Sequence, residues 1–252
     1  MNFLTLTKDN YNVFLALLLA SAVIMTVFKD WRVLTPALVV QYLALAVIAN
    51  SLNETTVRVM LGPLPLAIFL KGLAGVLAGL ILLLTGYAIG FERRSHRTQE
   101  AQEVAKGRGG LRRLFYQQEA DEFNRFRYID YLLPLGAVII AAVTAYAFTT
   151  LLSFSGNFLG DFVFFWLGSV GVTIMVVGND IIKLGVGLLV ALNGADLLYS
   201  LLRSGDNPLV LGASAAITIF LALIISYLAI TFFNKMKTLT LSERFKRRRP
   251  SV

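Results

Sequence analysis

The sequence predicts an all-α fold, a polytopic membrane helix bundle of about seven transmembrane helices with its N-terminus outside and its C-terminus inside. Three observations carry that expectation. Of 252 residues, 57% are hydrophobic and only 15% charged, with a mean hydropathy of +0.71, a composition too apolar for a water-soluble domain. The apolar residues gather into seven segments, each close to the roughly 20 residues that a spanning helix needs. The 23 basic residues fall almost wholly in alternate connections between those segments, as cytoplasmic loops require.

The first segment, near 11 to 28, has no signal-peptide cleavage pattern, and its apolar run continues through Ile24, Met25, Val27 and Phe28, so it reads as a retained helix. The second lies near 33 to 51. The third, near 60 to 90, is long for a span and is expected to be tilted or broken at Pro63 and Pro65. Within the third, Lys71 stands near the middle of a stretch from Val59 to Gly90 that has no other ionisable side chain. A charge at the centre of a membrane helix costs about 2.5–3.5 kcal/mol on insertion scales, so such residues face a bundle interior and serve an ion pathway or a buried pair. Gly72, Gly75 and Gly79 share this helix, and small residues at four-residue spacing mark close helix approach. Gly168, with Val172 in place of a second small residue, gives a weaker version in the fifth segment.

The remaining segments lie near 131 to 152, 162 to 178, 181 to 202 and 208 to 233. With the C-terminus inside, the only basic residues not assigned to inner connections are Lys8, Arg58 and Arg203, on the outside, and Lys71 in the membrane. The net charge of +8 then reflects topology and contact with anionic lipids at the inner surface, not nucleic-acid binding. Four regions follow: an N-terminal three-helix membrane region at 1–91, a basic cytoplasmic or interfacial insertion at 92–130, a four-helix region at 131–233, and a basic cytoplasmic tail at 234–252. In the insertion, Leu114, Phe115, Phe123 and Phe126 alternate with Arg112, Arg113, Arg125 and Arg127, a pattern suited to a helix on the membrane surface. A docking element for a peripheral subunit is a second reading, and a solvated connector is the plainer alternative.

With no cysteine and a single histidine, His96, in a charged loop, the chain offers no thiolate metal site, disulfide, iron-sulfur cluster or bis-histidine haem site. No metal and no cofactor is expected, and no Ser/His/Asp constellation points to intrinsic catalysis. The sixth segment carries the densest chemistry. Lys183, near its inner end, is expected to snorkel to the interface. Asn193 and Asp196 lie deeper, Asp196 about two turns from the outer surface. Asp196 either reaches the outer interface as a structural group or faces the bundle as a protonatable one, with Asn193 one turn below and Lys71 as its partner.

The stretch Asn179 to Gly194, with a small polar start, an apolar pair, a basic residue, mid-helix Gly187 and then Asn193-Gly194, resembles the second helix of the small K-type membrane subunit of respiratory complex I. It is closer still to the E-type membrane subunit of group 4 energy-converting nickel-iron hydrogenases, and is similar to the C subunit of Mrp-type sodium/proton antiporters. Lys71, in Ala67-Ile68-Phe69-Leu70-Lys71, resembles the lysine of the hydrogenase subunit's third helix. The resemblance implies a K-like three-helix unit at 162–233. Where the K-type pattern has glutamate this chain has Leu189, where the hydrogenase pattern has glutamate it has Leu192, and Leu209 to Phe233 contains no acid. Residues 189, 192, 193 and 196 share one helical stripe, so Asp196 is placed to substitute.

The resemblance implies a non-catalytic membrane-arm subunit of a proton- or sodium-translocating oxidoreductase complex, with antiporter-like and redox-arm subunits as partners, in a prokaryotic cytoplasmic membrane. Lys71, Asn193 and Asp196 are its relay candidates. A stand-alone secondary transporter or channel, and an accessory or assembly subunit of another membrane complex, remain open alternatives.

Overall fold

The structure, a computed structural model, describes residues 11–52, 60–61, 64–106, 129–178, 180–202 and 207–236. Seven helices make up nearly all of it: α1 (Tyr11–Val27), α2 (Trp31–Leu52), α3 (Leu66–Lys106), α4 (Ile129–Leu151), α5 (Phe158–Val177), α6 (Ile181–Leu202) and α7 (Pro208–Met236). Six of them, α2 to α7, are long and apolar enough to cross a membrane, and α1 is a shorter apolar helix of 17 residues.

Short polar residues set the helix starts, because each supplies an acceptor to backbone N–H groups that have no partner inside the helix. Asp30 accepts from the Arg32 amide, Asn157 from Leu159 and Gly160, Asp180 from Ile182, and Asn207 from Leu209. The cap at Asn157 starts α5 four residues before the expected 162, and thereby brings Asp161 inside the helix. The third segment departs most from expectation. Its first residues form a small antiparallel hairpin, β1 (Met60–Leu61) against β2 (Leu64–Pro65), and the helix begins only after Pro65, which cannot donate a backbone hydrogen bond. At its other end α3 runs on to Lys106, 41 residues in all, or about 60 Å. The expected boundary at 91/92 therefore falls within a continuous helix whose apolar part ends at Glu92. The second half of the 92–130 insertion lies mostly outside the described residues, as does the tail beyond Met236.

The helices stack in two layers. In one, α1 packs on α2 and α2 on α3; in the other, α4 packs on α5, α5 on α6 and α6 on α7. Across the layers α1 meets α4 and α5, α2 meets α6, and α3 meets α7. Consequently α2, α3, α7 and α6 form a closed four-helix ring, and α1, α2, α6 and α5 form a second ring sharing the α2–α6 seam. Glycines set the spacing. A Cβ on Gly75 would stand 2.6 Å from Tyr42 Cγ, one on Gly72 3.1 Å from Leu43, and one on Gly79 would run into Val39, so the Gly72/Gly75/Gly79 stripe is the α2–α3 contact. Gly187 and Gly171 face each other's carbonyls at 2.6 and 2.7 Å from where their Cβ atoms would be, closing α5 onto α6. Gly168 is not part of this: nothing lies within 4 Å of its Cβ position, and Val172 beside it is exposed. The outer faces present Leu84, Ile139, Ile140, Val176, Leu209 and Phe220, an anomaly for a protein in water and the required surface for one in hydrocarbon.

Candidate functional site

At one level of the first ring, polar side chains from four helices come together: Tyr42 (α2), Lys71 (α3), Asn193 and Asp196 (α6), and Ser214 and Thr218 (α7). Lys71 lies about 7.5 Å along α3 from Leu66, and Asp196 about 9 Å before the end of α6 at Leu202, at 1.5 Å per residue. Lys71 is therefore in the second turn of its helix and not at mid-span, because the hairpin takes up the first part of the segment. The two helices run in opposite directions, so these depths coincide.

Lys71 Nζ lies 2.9 Å from Asp196 Oδ2, with side-chain exposures of 7% and 16%. The approach is off the line of a hydrogen bond, and among the described residues the ammonium has no aligned acceptor. The other carboxylate oxygen, Oδ1, accepts from Ser214 Oγ at 2.8 Å. One turn along α7, Thr218 Oγ1 donates to the Ser214 carbonyl at 3.1 Å and lies near the Tyr42 hydroxyl. The Tyr42 hydroxyl also points at the Leu189 carbonyl, 3.4 Å away. Asn193 is buried in the same region, and its Nδ2 has no acceptor among the described residues.

This arrangement couples a cation and an anion across the ring, and Asn193 Nδ2 adds a donor that has no acceptor among the described residues. A pair of this kind inside an apolar bundle responds strongly to any change in its own charge, because little water is at hand to screen it. Of the residues singled out from sequence, Lys71 and Asp196 come into contact and Asn193 lies one turn from Asp196. Leu189 is fully buried with its carbonyl facing Tyr42, and Leu192 is partly buried. Gly72, Gly75, Gly79 and Gly187 act at helix contacts and not in the site.

Four polar side chains, Tyr42, Ser214, Thr218 and Asp161, gave no signal that the sequence reading used. Tyr42, Ser214 and Thr218 complete the polar ring; the four-residue spacing of Ser214 and Thr218, which puts two hydroxyls on one face, is the signal that pointed there. Asp161 is fully buried at the start of α5, where its carboxylate accepts from the Phe154 and Ser155 amides at 3.0 and 3.1 Å and holds the α4–α5 turn. Lys183 does not snorkel. It is buried and donates to the Thr26 and Phe28 carbonyls at 2.6 and 3.3 Å, satisfying the C-terminal end of α1, where a cation also complements the helix dipole.

No group of three or more histidine, cysteine or acidic residues is placed to hold a metal among the described residues. No protein-family model, no curated protein and no solved structure matches the chain.

Proposed function

We propose that this chain is a membrane-arm subunit of an energy-converting complex of the complex I, group 4 hydrogenase or Mrp type, and that the Lys71–Asp196 pair is its ion-responsive element. The observation that supports this most is the pair itself, a buried lysine 2.9 Å from a partly buried aspartate, in a chain with six helices long and apolar enough to cross a bilayer. Ionisable residues in such segments are expensive to insert, and pairs of them mark ion and proton paths. The relay consists of Asp196, Lys71 and Asn193, with Ser214 orienting the carboxylate and Tyr42 and Thr218 extending the polar surface. The subunit supports proton or sodium movement, and the redox chemistry belongs to its partners. The excess of lysine and arginine between Arg93 and Arg127 and from Lys235 to Arg249 sets the N-terminus outside and the C-terminus inside.

The test is gentle solubilisation of the native membrane, capture through the C-terminus and mass spectrometry of what co-purifies. Antiporter-like subunits together with a hydrogenase or quinone-reductase arm are expected. A lone chain or a homo-oligomer would overturn the complex and favour a stand-alone transporter.

A further inference from the structure

Gln41 is the least explained residue of the bundle. It sits in the middle of α2 with 0% of its surface exposed, and neither Oε1 nor Nε2 has a hydrogen-bond partner among the described residues. An amide left without partners in an apolar interior is costly, and nearly all such groups in folded proteins are answered by protein or by bound water. Because no surface of Gln41 reaches the outside, whatever answers it lies within the bundle.

The same deficit occurs on the neighbouring helix. Asn193 Nδ2, on α6, is buried and unanswered, and α2 packs directly on α6. Tyr42, the next residue of α2, reaches the Leu189 carbonyl of α6 and packs on Gly75, one turn along α3 from Lys71. Gln41 then stands near the depth of Asn193, farther along the bundle than Lys71. On the far side of Asn193, Lys71 Nζ also lacks an aligned acceptor, and Trp166 Nε1 lacks one on α5 at the depth of Gly194, whose Cβ would meet Leu167 and Phe164. Among the described residues, unanswered polar groups on α2, α5 and α6 thus occur at neighbouring depths around this seam, and most of them are donors. The molecule that accepts from several donors and also donates to Gln41 Oε1 is water, which makes about three hydrogen bonds when buried.

We infer that the α2–α6 seam holds bound water between Gln41 and Asn193, giving the Lys71–Asp196 pair a polar continuation toward the inner half of the bundle. The use of that continuation rests on the proposed function; the hydration itself does not.

Millisecond X-ray radiolysis of the detergent-solubilised chain, read by mass spectrometry, tests it, because radicals formed from bound water label side chains that bulk water does not reach. Tyr42, almost fully buried, is the reporter, and Met25, an intrinsically reactive side chain that is fully buried among apolar residues, is the dry control. Tyr42 oxidation about ten times or more above that of Met25 is expected, with a several-fold fall in Gln41→Leu. Labelling of Tyr42 no greater than that of Met25 would overturn the inference. A second readout is the thermal midpoint of Gln41→Leu. A hydrated glutamine gives an unchanged or lower midpoint, whereas a clear rise would identify a dry, unanswered amide and also overturn it. Hydration together with a failure to move ions would leave this inference standing and remove the proposed function instead.

Discussion

Replacing Lys71 with methionine keeps the length and most of the volume of the side chain, so the expected loss is electrostatic and not a cavity. Among the described residues, Asp196 would then retain the Ser214 hydroxyl at 2.8 Å. Removing one partner of a buried pair costs about 3–5 kcal/mol, because the other charge is left uncompensated. With Asp196 16% exposed at its side chain, water relieves part of this, and about 3 kcal/mol is the expected value. Asp196→Leu strands the less exposed Lys71 ammonium and should cost at least as much. The double variant Lys71→Met/Asp196→Leu removes both charges and should lie within about 1–2 kcal/mol of wild type, since apolar replacement of a whole buried pair is often near neutral. The cycle then gives a coupling energy of about 4–5 kcal/mol. The assay is reversible unfolding of the purified chain in mixed micelles with increasing dodecyl sulfate, followed by the fluorescence of Trp31 and Trp166. Single variants each costing under about 1 kcal/mol and adding without coupling would refute the burial argument, because that is the behaviour of an exposed pair.

Gly187→Leu should prevent close approach of α5 and α6, since its Cβ alone would come within 2.6 Å of the Gly171 carbonyl; a sharp loss of monodisperse protein in size-exclusion chromatography is expected, with Gly168→Leu, whose Cβ position is open, as the tolerated control. Asp161→Ala leaves the Phe154 and Ser155 amides without their charged acceptor and should cost about 2–4 kcal/mol, read as a lower thermal midpoint, whereas Asp161→Asn should recover part of the loss. Lys183→Met should free the end of α1 without unfolding the bundle, seen as faster amide hydrogen exchange from Thr26 to Leu34 and little change at α5.

The helices were legible because a membrane span must satisfy its own backbone and cover itself in apolar side chains, and the seven apolar runs correspond to seven helices, six of them long enough to span. Their ends were less legible, since they depend on single polar residues such as Asn157 and on the hairpin before Leu66, which apolar periodicity does not record. Lys71 and Asp196 stood out because ionisable residues are rare in such runs, and their matching depths made a pairing conceivable while giving no rotation about either helix axis. Ser214, Thr218 and Tyr42 did not stand out, because hydroxyls in membrane helices commonly bond their own helix; Thr26, Thr85 and Thr149 all donate to the carbonyl four residues back. Lys183 shows the opposite error. A lysine near a helix end normally reaches the interface, but here the end of α1 occupies that place and its carbonyls receive the charge.

The central claim is that the buried pair moves ions and does more than hold helices together. Asp196→Asn tests it most directly, since the amide keeps the shape and a hydrogen-bond acceptor for Ser214 but cannot carry the charge. In native membrane vesicles carrying this variant, the account predicts that ion translocation coupled to the complex's redox reaction is lost, while the subunit still assembles with its partners in undiminished amount. Full translocation by the correctly assembled variant would contradict it and leave Lys71 and Asp196 as a structural tie between α3 and α6.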